Sequence, residues 1–194
     1  GWMARTDTTI AYEYGCAGLR TSKSVTTGGT TETTSYIRSG KYLTHMTDGT
    51  NTLHFYYDAL NRPVFVDFNG TTYAYHYSMQ GDVLGLYDNT GTLVVRYLYD
   101  AWGVPLGMSG TLASSLGEIQ PFRYRGYEFD QETGLYYLRS RYYRSEWGRF
   151  ISADEIFTDN LFVYCANKTV LHIDSDGNVD EKLYPLYKIW GFRQ

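Results

Sequence analysis

The sequence predicts an all-β protein built from successive antiparallel hairpins, and three observations carry that expectation. Of 194 residues, 21 are Tyr, 9 Phe and 4 Trp, with 20 Gly and only 4 Pro. Tyr, Thr and Val favour a pleated, half-buried surface, and Gly supplies tight turns. Apolar and polar residues alternate with period two through the middle of the chain rather than recurring at helical spacing. A short pattern also repeats: an aromatic residue, Asp, two or three variable residues, Gly, then renewed alternation. So many buriable rings exclude a disordered tail, and the long Ala, Leu, Glu and Lys runs of a coiled coil are missing. The length suits one β domain or a piece of a larger β assembly.

The elements follow in order. The first turn is a degenerate copy, Tyr14-Gly15-Cys16-Ala17-Gly18-Leu19-Arg20, with Gly in place of Asp. Thr21 to Thr34 reads as polar strands around a turn at Gly28-Gly29. Leu53 to Tyr57 alternates as a strand and runs into Tyr57-Asp58-Ala59-Leu60-Asn61, where Asn61 replaces Gly as the residue next most tolerant of positive φ. Val64 to Phe68 and Thr71 to Tyr77 are strands joined by Asn69-Gly70, a strong two-residue hairpin signal. Full copies follow at Tyr87-Asp88-Asn89-Thr90-Gly91 and Tyr99-Asp100-Ala101-Trp102-Gly103, flanking the strand Leu93 to Tyr99. In each, Asp accepts backbone hydrogen bonds and Gly takes the left-handed conformation at which the chain re-enters the ladder. Ser109 to Leu116 reads as a short helical turn or loop, and Phe129-Asp130-Gln131-Glu132-Thr133-Gly134 is a copy one residue longer.

The net charge of −4 excludes a generally basic nucleic-acid binder and argues against attachment to anionic membranes. Twelve of the 17 cations are Arg, which stacks on aromatic faces, so Tyr/Arg ladders are expected. No apolar run reaches the roughly 18 residues of a membrane span, and Gly1-Trp2-Met3-Ala4-Arg5 does not read as a signal peptide. Two cysteines are too few for a disulfide scaffold; whether Cys16 and Cys165 pair is open, with two isolated buried thiols the expectation. His45, His54, His76 and His172 read as isolated, without metal spacing, and no dinucleotide, phosphate-loop or other cofactor motif occurs.

Beyond Ser109 the motifs become specific: Pro121-Phe122-Arg123-Tyr124-Arg125-Gly126-Tyr127, then Thr133-Gly134-Leu135-Tyr136-Tyr137-Leu138-Arg139-Ser140-Arg141-Tyr142-Tyr143, then Gly148-Arg149-Phe150-Ile151-Ser152-Ala153-Asp154. With the preceding Tyr-Asp turns, this closely resembles YD-repeat proteins with an Rhs-associated core, over roughly residue 10 to Gly177. The resemblance implies repeats at 1–117 that form a curved, spiralling sheet, a fragment of a hollow β-shell. It implies an irregular core at 118–177, and 178–194 is a short tail with no room for a toxin domain. It further implies a secreted or surface scaffold that encloses or presents a C-terminal effector, with open sheet edges pairing to neighbouring repeats or another chain. The pattern departs from the family where Pro is expected: Arg144-Ser145, Asp154-Glu155, Asn167-Lys168 and Asp174-Ser175 stand at those places.

The resemblance also implies an aspartyl self-cleavage activity. Asp154 and Asp174 occupy the positions of the two family carboxylates, with Arg149 as a supporting charge, and the product would end near Gly177 or Asn178. Close carboxylates can share a proton and activate water. The bland alternative makes both residues turn caps. Asp174-Ser175-Asp176-Gly177-Asn178-Val179-Asp180 suggests a calcium loop, but Val179 and Pro185 fall where that loop needs Gly and Glu, so a hairpin turn is the better reading. Six Arg from Arg123 to Arg149 are interleaved with aromatic rings and four acids, a packed ladder more than a nucleic-acid platform. A glycan-binding face is a third reading, resting on exposure of Trp102 and Trp147.

Overall fold

A computed structural model describes residues 7–153, 162–167, 169, 172–174, 177 and 180–182. Ten strands follow one another in chain order in one sheet: β1 Thr8–Tyr14, β2 Arg20–Thr27, β3 Thr30–Ser39, β4 Tyr42–Thr47, β5 Thr52–Tyr57, β6 Pro63–Phe68, β7 Thr71–Tyr77, β8 Val83–Tyr87, β9 Leu93–Tyr99 and β10 Pro105–Ser109. The pairings from β1 to β7, and that of β9 with β10, are antiparallel, as the hairpin reading expects. The chain divides into two compact units, residues 1–75 with 87–92 and residues 76–86 with 93–194.

In the first unit the pleat separates two chemistries. Register places Tyr36 opposite Met46, Met46 opposite Leu53 and Leu53 opposite Phe68, and Tyr36, Met46 and Leu53 are buried. One residue along lies the other face, where Ile37, His45, His54, Asp67 and Thr72 form a row of direct partners. Arg20 is fully buried with its guanidinium over the rings of Tyr36 and Tyr12, a planar contact of the expected kind.

The recurring turn is one structure. In the copies at Asp58, Asp88 and Asp100, the Asp N–H donates to the carbonyl four residues on, and the residue three on donates back to the Asp carbonyl. That third residue, Asn61, Gly91 or Gly103, has a φ of 61°, 81° or 88°. Each Asp Oδ1 accepts the N–H groups of the residues two and four on, at 2.8–2.9 Å. Gly15 builds the same backbone without a side-chain acceptor. A copy that pattern reading misses sits at Ser78, whose Oγ accepts from Gln80 and Asp82 in place of a carboxylate. The two-residue turns at Gly28-Gly29 and Asn69-Gly70 have positive φ at both positions, as their sequences require.

In the second unit β10 leads to a single π-helical turn at Ala113–Gly117 that buries Leu116. A four-stranded antiparallel sheet follows: β11 Glu128–Asp130, β12 Leu135–Tyr137, β13 Tyr142–Arg144 and β14 Arg149–Phe150. Tyr124, Tyr127, Tyr136, Leu138, Tyr143, Phe150, Tyr164 and Cys165 form its core. The hairpin β15 His172–Asp174 and β16 Asp180–Lys182 sets Asp174 opposite Asp180, as the hairpin reading of that stretch has it.

Candidate functional site

Two constructions in the second unit bring polar groups together out of water. The first seats the turn at Asp100. Tyr124, Tyr143 and Tyr136 donate their hydroxyls to the consecutive carbonyls of Ala101, Trp102 and Gly103, at 2.9, 2.8 and 2.7 Å. Thr169 Oγ1 adds a second donor to Ala101 at 3.0 Å. Burial raises the phenols of Tyr124, Tyr136 and Tyr143 above their ordinary value, so they remain donors. Gly103 admits the Tyr124 ring, since a Cβ there would stand 2.5 Å from a ring carbon.

The second construction surrounds Gly177. Asp174 is buried, its Oδ1 accepts the Gly177 N–H at 2.7 Å, and its own N–H donates to the Tyr127 hydroxyl at 3.2 Å. Tyr127 and Tyr164 share a hydroxyl hydrogen bond of 2.9 Å, and burial pushes both phenols well up. Arg141, 5% exposed, lies over the Phe150 ring and donates through Nε to the Gly177 carbonyl. The same guanidinium stands 3.5 Å from Asp174 Oδ2. Gly177 has a φ of 86°, and a Cβ there would meet Ser140 Oγ at 2.6 Å and Leu138 O at 3.0 Å. A buried cation thus holds one carboxylate and one peptide carbonyl side by side.

Of the residues singled out from the sequence, Asp174 lies in this second cluster. Arg149 is exposed on β14. Asp154 and Asn178 lie outside the described residues. Arg141 is the group that sequence reasoning missed as a partner of Asp174: the two stand 33 residues apart, and Arg141 sits in the connection between β12 and β13. His45 and His54 are not isolated, because they are direct cross-strand partners with ring centroids 3.8 Å apart. Both cysteines are free, but only Cys165 is buried; Cys16 is exposed because it sits at the tip of the first turn. Trp147 is exposed, with the Arg144 guanidinium over its ring, while Trp102 is half-buried against Gly148.

The model of the teneurin YD-shell family matches residues 5–189, and the chain belongs to that family. It is 40% identical over 117 residues to the tRNA3(Ser)-specific nuclease WapA of Bacillus spizizenii, covering 57% of this chain and 5% of that protein. It is 34% identical over 107 residues to the toxin protein Tse5 of Pseudomonas aeruginosa, covering 53% of this chain and 8% of that protein. The crystal structure of TcdB2-TccC3-TEV superposes with a TM-score of 0.71 at 22% identity, over 90% of this chain and 9% of that one, which is a likeness of fold. The chain therefore spans a small part of each of these relatives. Among the described residues no helix is long and apolar enough to cross a membrane.

Proposed function

We propose that this chain is a piece of shell wall: a non-enzymatic scaffold that, within a longer secreted or surface-displayed polypeptide, encloses or presents a C-terminal effector. The observation that carries this reading is the repeated turn, one geometry used at Gly15, Asp58, Ser78, Asp88 and Asp100 to fold the chain back on itself. Such a meander has no inherent end. Among the described residues β1 pairs within the sheet with β2 alone and β10 with β9 alone, so these two are the edge strands of that sheet. Unpaired edges invite another strand, here from neighbouring repeats or another chain. WapA and Tse5 carry the names of a nuclease and a toxin, and this chain corresponds to 5% and 8% of them; on this reading the shared part is wall, and the toxic chemistry lies elsewhere. Sedimentation velocity tests it: the isolated chain self-associates in a concentration-dependent way, and a clean monomer at high concentration counts against edge pairing.

A second reading, a residual aspartyl autoprotease, is favoured by the buried carboxylate of Asp174 lying beside a peptide carbonyl held by Arg141. Asp154 would supply the second carboxylate. Intact-mass measurement decides it: a shortened product that disappears in Asp174→Asn supports cleavage, and an unchanged 22.3 kDa chain after long incubation removes it.

A further inference from the structure

We propose that His45 and His54 together bind one divalent transition-metal ion of the copper, nickel and zinc class, on the face of the first unit's sheet opposite its buried side chains. The two are direct partners on β4 and β5, and their ring centroids stand 3.8 Å apart. Both are half-buried, within reach of an ion from solvent. Register holds the pair in place: the next partners along, Met46 and Leu53, are buried, so the imidazoles cannot slip past each other without dragging core residues out. The ring planes are inclined by 58° rather than stacked flat. Rotation about the Cβ–Cγ bond of an imidazole is soft, so one nitrogen of each ring can turn to a shared point. An ion about 2.0–2.1 Å from each nitrogen needs the two nitrogens roughly 3 Å apart. Rings 3.8 Å apart allow that separation.

The surroundings favour a cation of this class. Asp67 on β6 stands directly opposite His54, and its Oδ1 accepts the Gly70 N–H at 2.9 Å. That bond keeps the carboxylate one strand away, where it adds negative charge beside the pair without displacing an imidazole. The row ends in Ile37 and Thr72, so no cationic side chain stands in it. Among the described residues no group of three His, Cys, Asp or Glu is gathered for a metal ion, so water fills the positions that the two histidines leave. Neutral imidazole suits copper, nickel and zinc, whereas Mg²⁺ and Ca²⁺ take oxygen ligands. A bound ion ties β4 to β5 and stabilises the folded sheet in proportion to its occupancy.

The test is calorimetric titration of the full chain with Cu²⁺, Ni²⁺, Zn²⁺ and Mg²⁺, together with NMR of the wild type under substoichiometric Cu²⁺. Cu²⁺ is expected to bind tightest and Mg²⁺ not at all. His45→Asn and His54→Asn each weaken binding at least about 10-fold, and the double variant is little weaker than either, because one imidazole alone no longer chelates. Asp67→Asn weakens binding less than either histidine variant, and His76→Asn, on β7 outside the row, leaves it unchanged. Zn²⁺ raises the melting midpoint of wild type but not of the two histidine variants. Paramagnetic broadening by Cu²⁺ falls first on the amides around positions 45 and 54, a reading on wild type that does not depend on any variant folding. The proposal is overturned if wild type binds none of the three transition metals, if both histidine variants bind with wild-type affinity, or if broadening is centred elsewhere on the chain.

Discussion

The hydroxyl of Tyr136 donates to the carbonyl oxygen of Gly103 at 2.7 Å across 33 residues of sequence. It is one of three tyrosines that clamp the Asp100 turn to the core. Removing it by Tyr136→Phe keeps the ring and leaves a buried carbonyl without its donor, at a cost of about 1–3 kcal/mol. Tyr143→Phe and Tyr124→Phe act on the same turn, so the double and triple variants are expected to depart from additivity. Urea unfolding of the set measures this; strictly additive, near-zero effects would show that the turn holds itself.

Glycines at equivalent turn positions differ in what surrounds them. Gly91 has a φ of 81° and open space where a Cβ would go, whereas Gly103, at 88°, faces the Tyr124 ring. Gly91→Ala is therefore expected to lose about 1 kcal/mol for the left-handed backbone alone, and Gly103→Ala about 2–4 kcal/mol with overpacking added. Equal effects in denaturant titrations would mean that Tyr124 yields freely.

What could be read in the sequence was the chemistry that stays local. The side chains of Asp58, Asp88 and Asp100 accept from N–H groups two and four positions on, so their turns are written in consecutive letters. Ser78 does the same work with a hydroxyl, and escaped because a pattern built on Asp does not see the shared acceptor. Register hides the rest. His45 and His54 meet because the β4–β5 turn sets them opposite each other, and Arg141 reaches Gly177 through contacts that no spacing encodes. The tyrosines were expected as cross-strand pairs, which Tyr136 with Tyr143 and Tyr137 with Tyr142 are. Their hydroxyl roles, clamping the carbonyls of a distant turn, depend on the assembled core.

The turn carboxylates make the fold sensitive to acid. The N–H of Arg62, followed by that of Leu60, holds the Asp58 carboxyl below the usual 3.8. The Thr90 hydroxyl, followed by the N–H of Thr92, does the same for Asp88. The unfolded chain takes up protons first, so both groups stabilise the fold fully above pH 3.8, and that contribution is lost as the pH falls through their lowered values. Unfolding midpoints are expected to fall steadily as the pH drops below 3.8 and through the lowered values, and Asp88→Asn, which keeps an acceptor oxygen, flattens the slope. A slope unchanged by that substitution would assign the acid sensitivity to other carboxyls.

Arg125 joins the Ser78 turn to the core at a backbone conformation unusual for a side chain, with a φ of 55°. Its N–H donates to Asp82 Oδ1 at 3.1 Å, its Nε lies 3.6 Å from the same oxygen, and its Nη1 donates to the Gln80 carbonyl at 2.9 Å. The remaining nitrogen donates to the Thr169 carbonyl. No lysine can reproduce this fork, so Arg125→Lys is expected to be markedly destabilising. Arg125→Ala leaves Asp82 without its charge partner in a largely buried site, at about 3–5 kcal/mol. Arg125→Gly removes the same interactions but relaxes the positive φ, and should therefore recover about 1 kcal/mol relative to Ala. Chemical denaturation of the three variants separates the two contributions: equal midpoints for Ala and Gly would show that the backbone at Arg125 carries no strain, while a Lys variant as stable as wild type would show that the fork does not hold the turn.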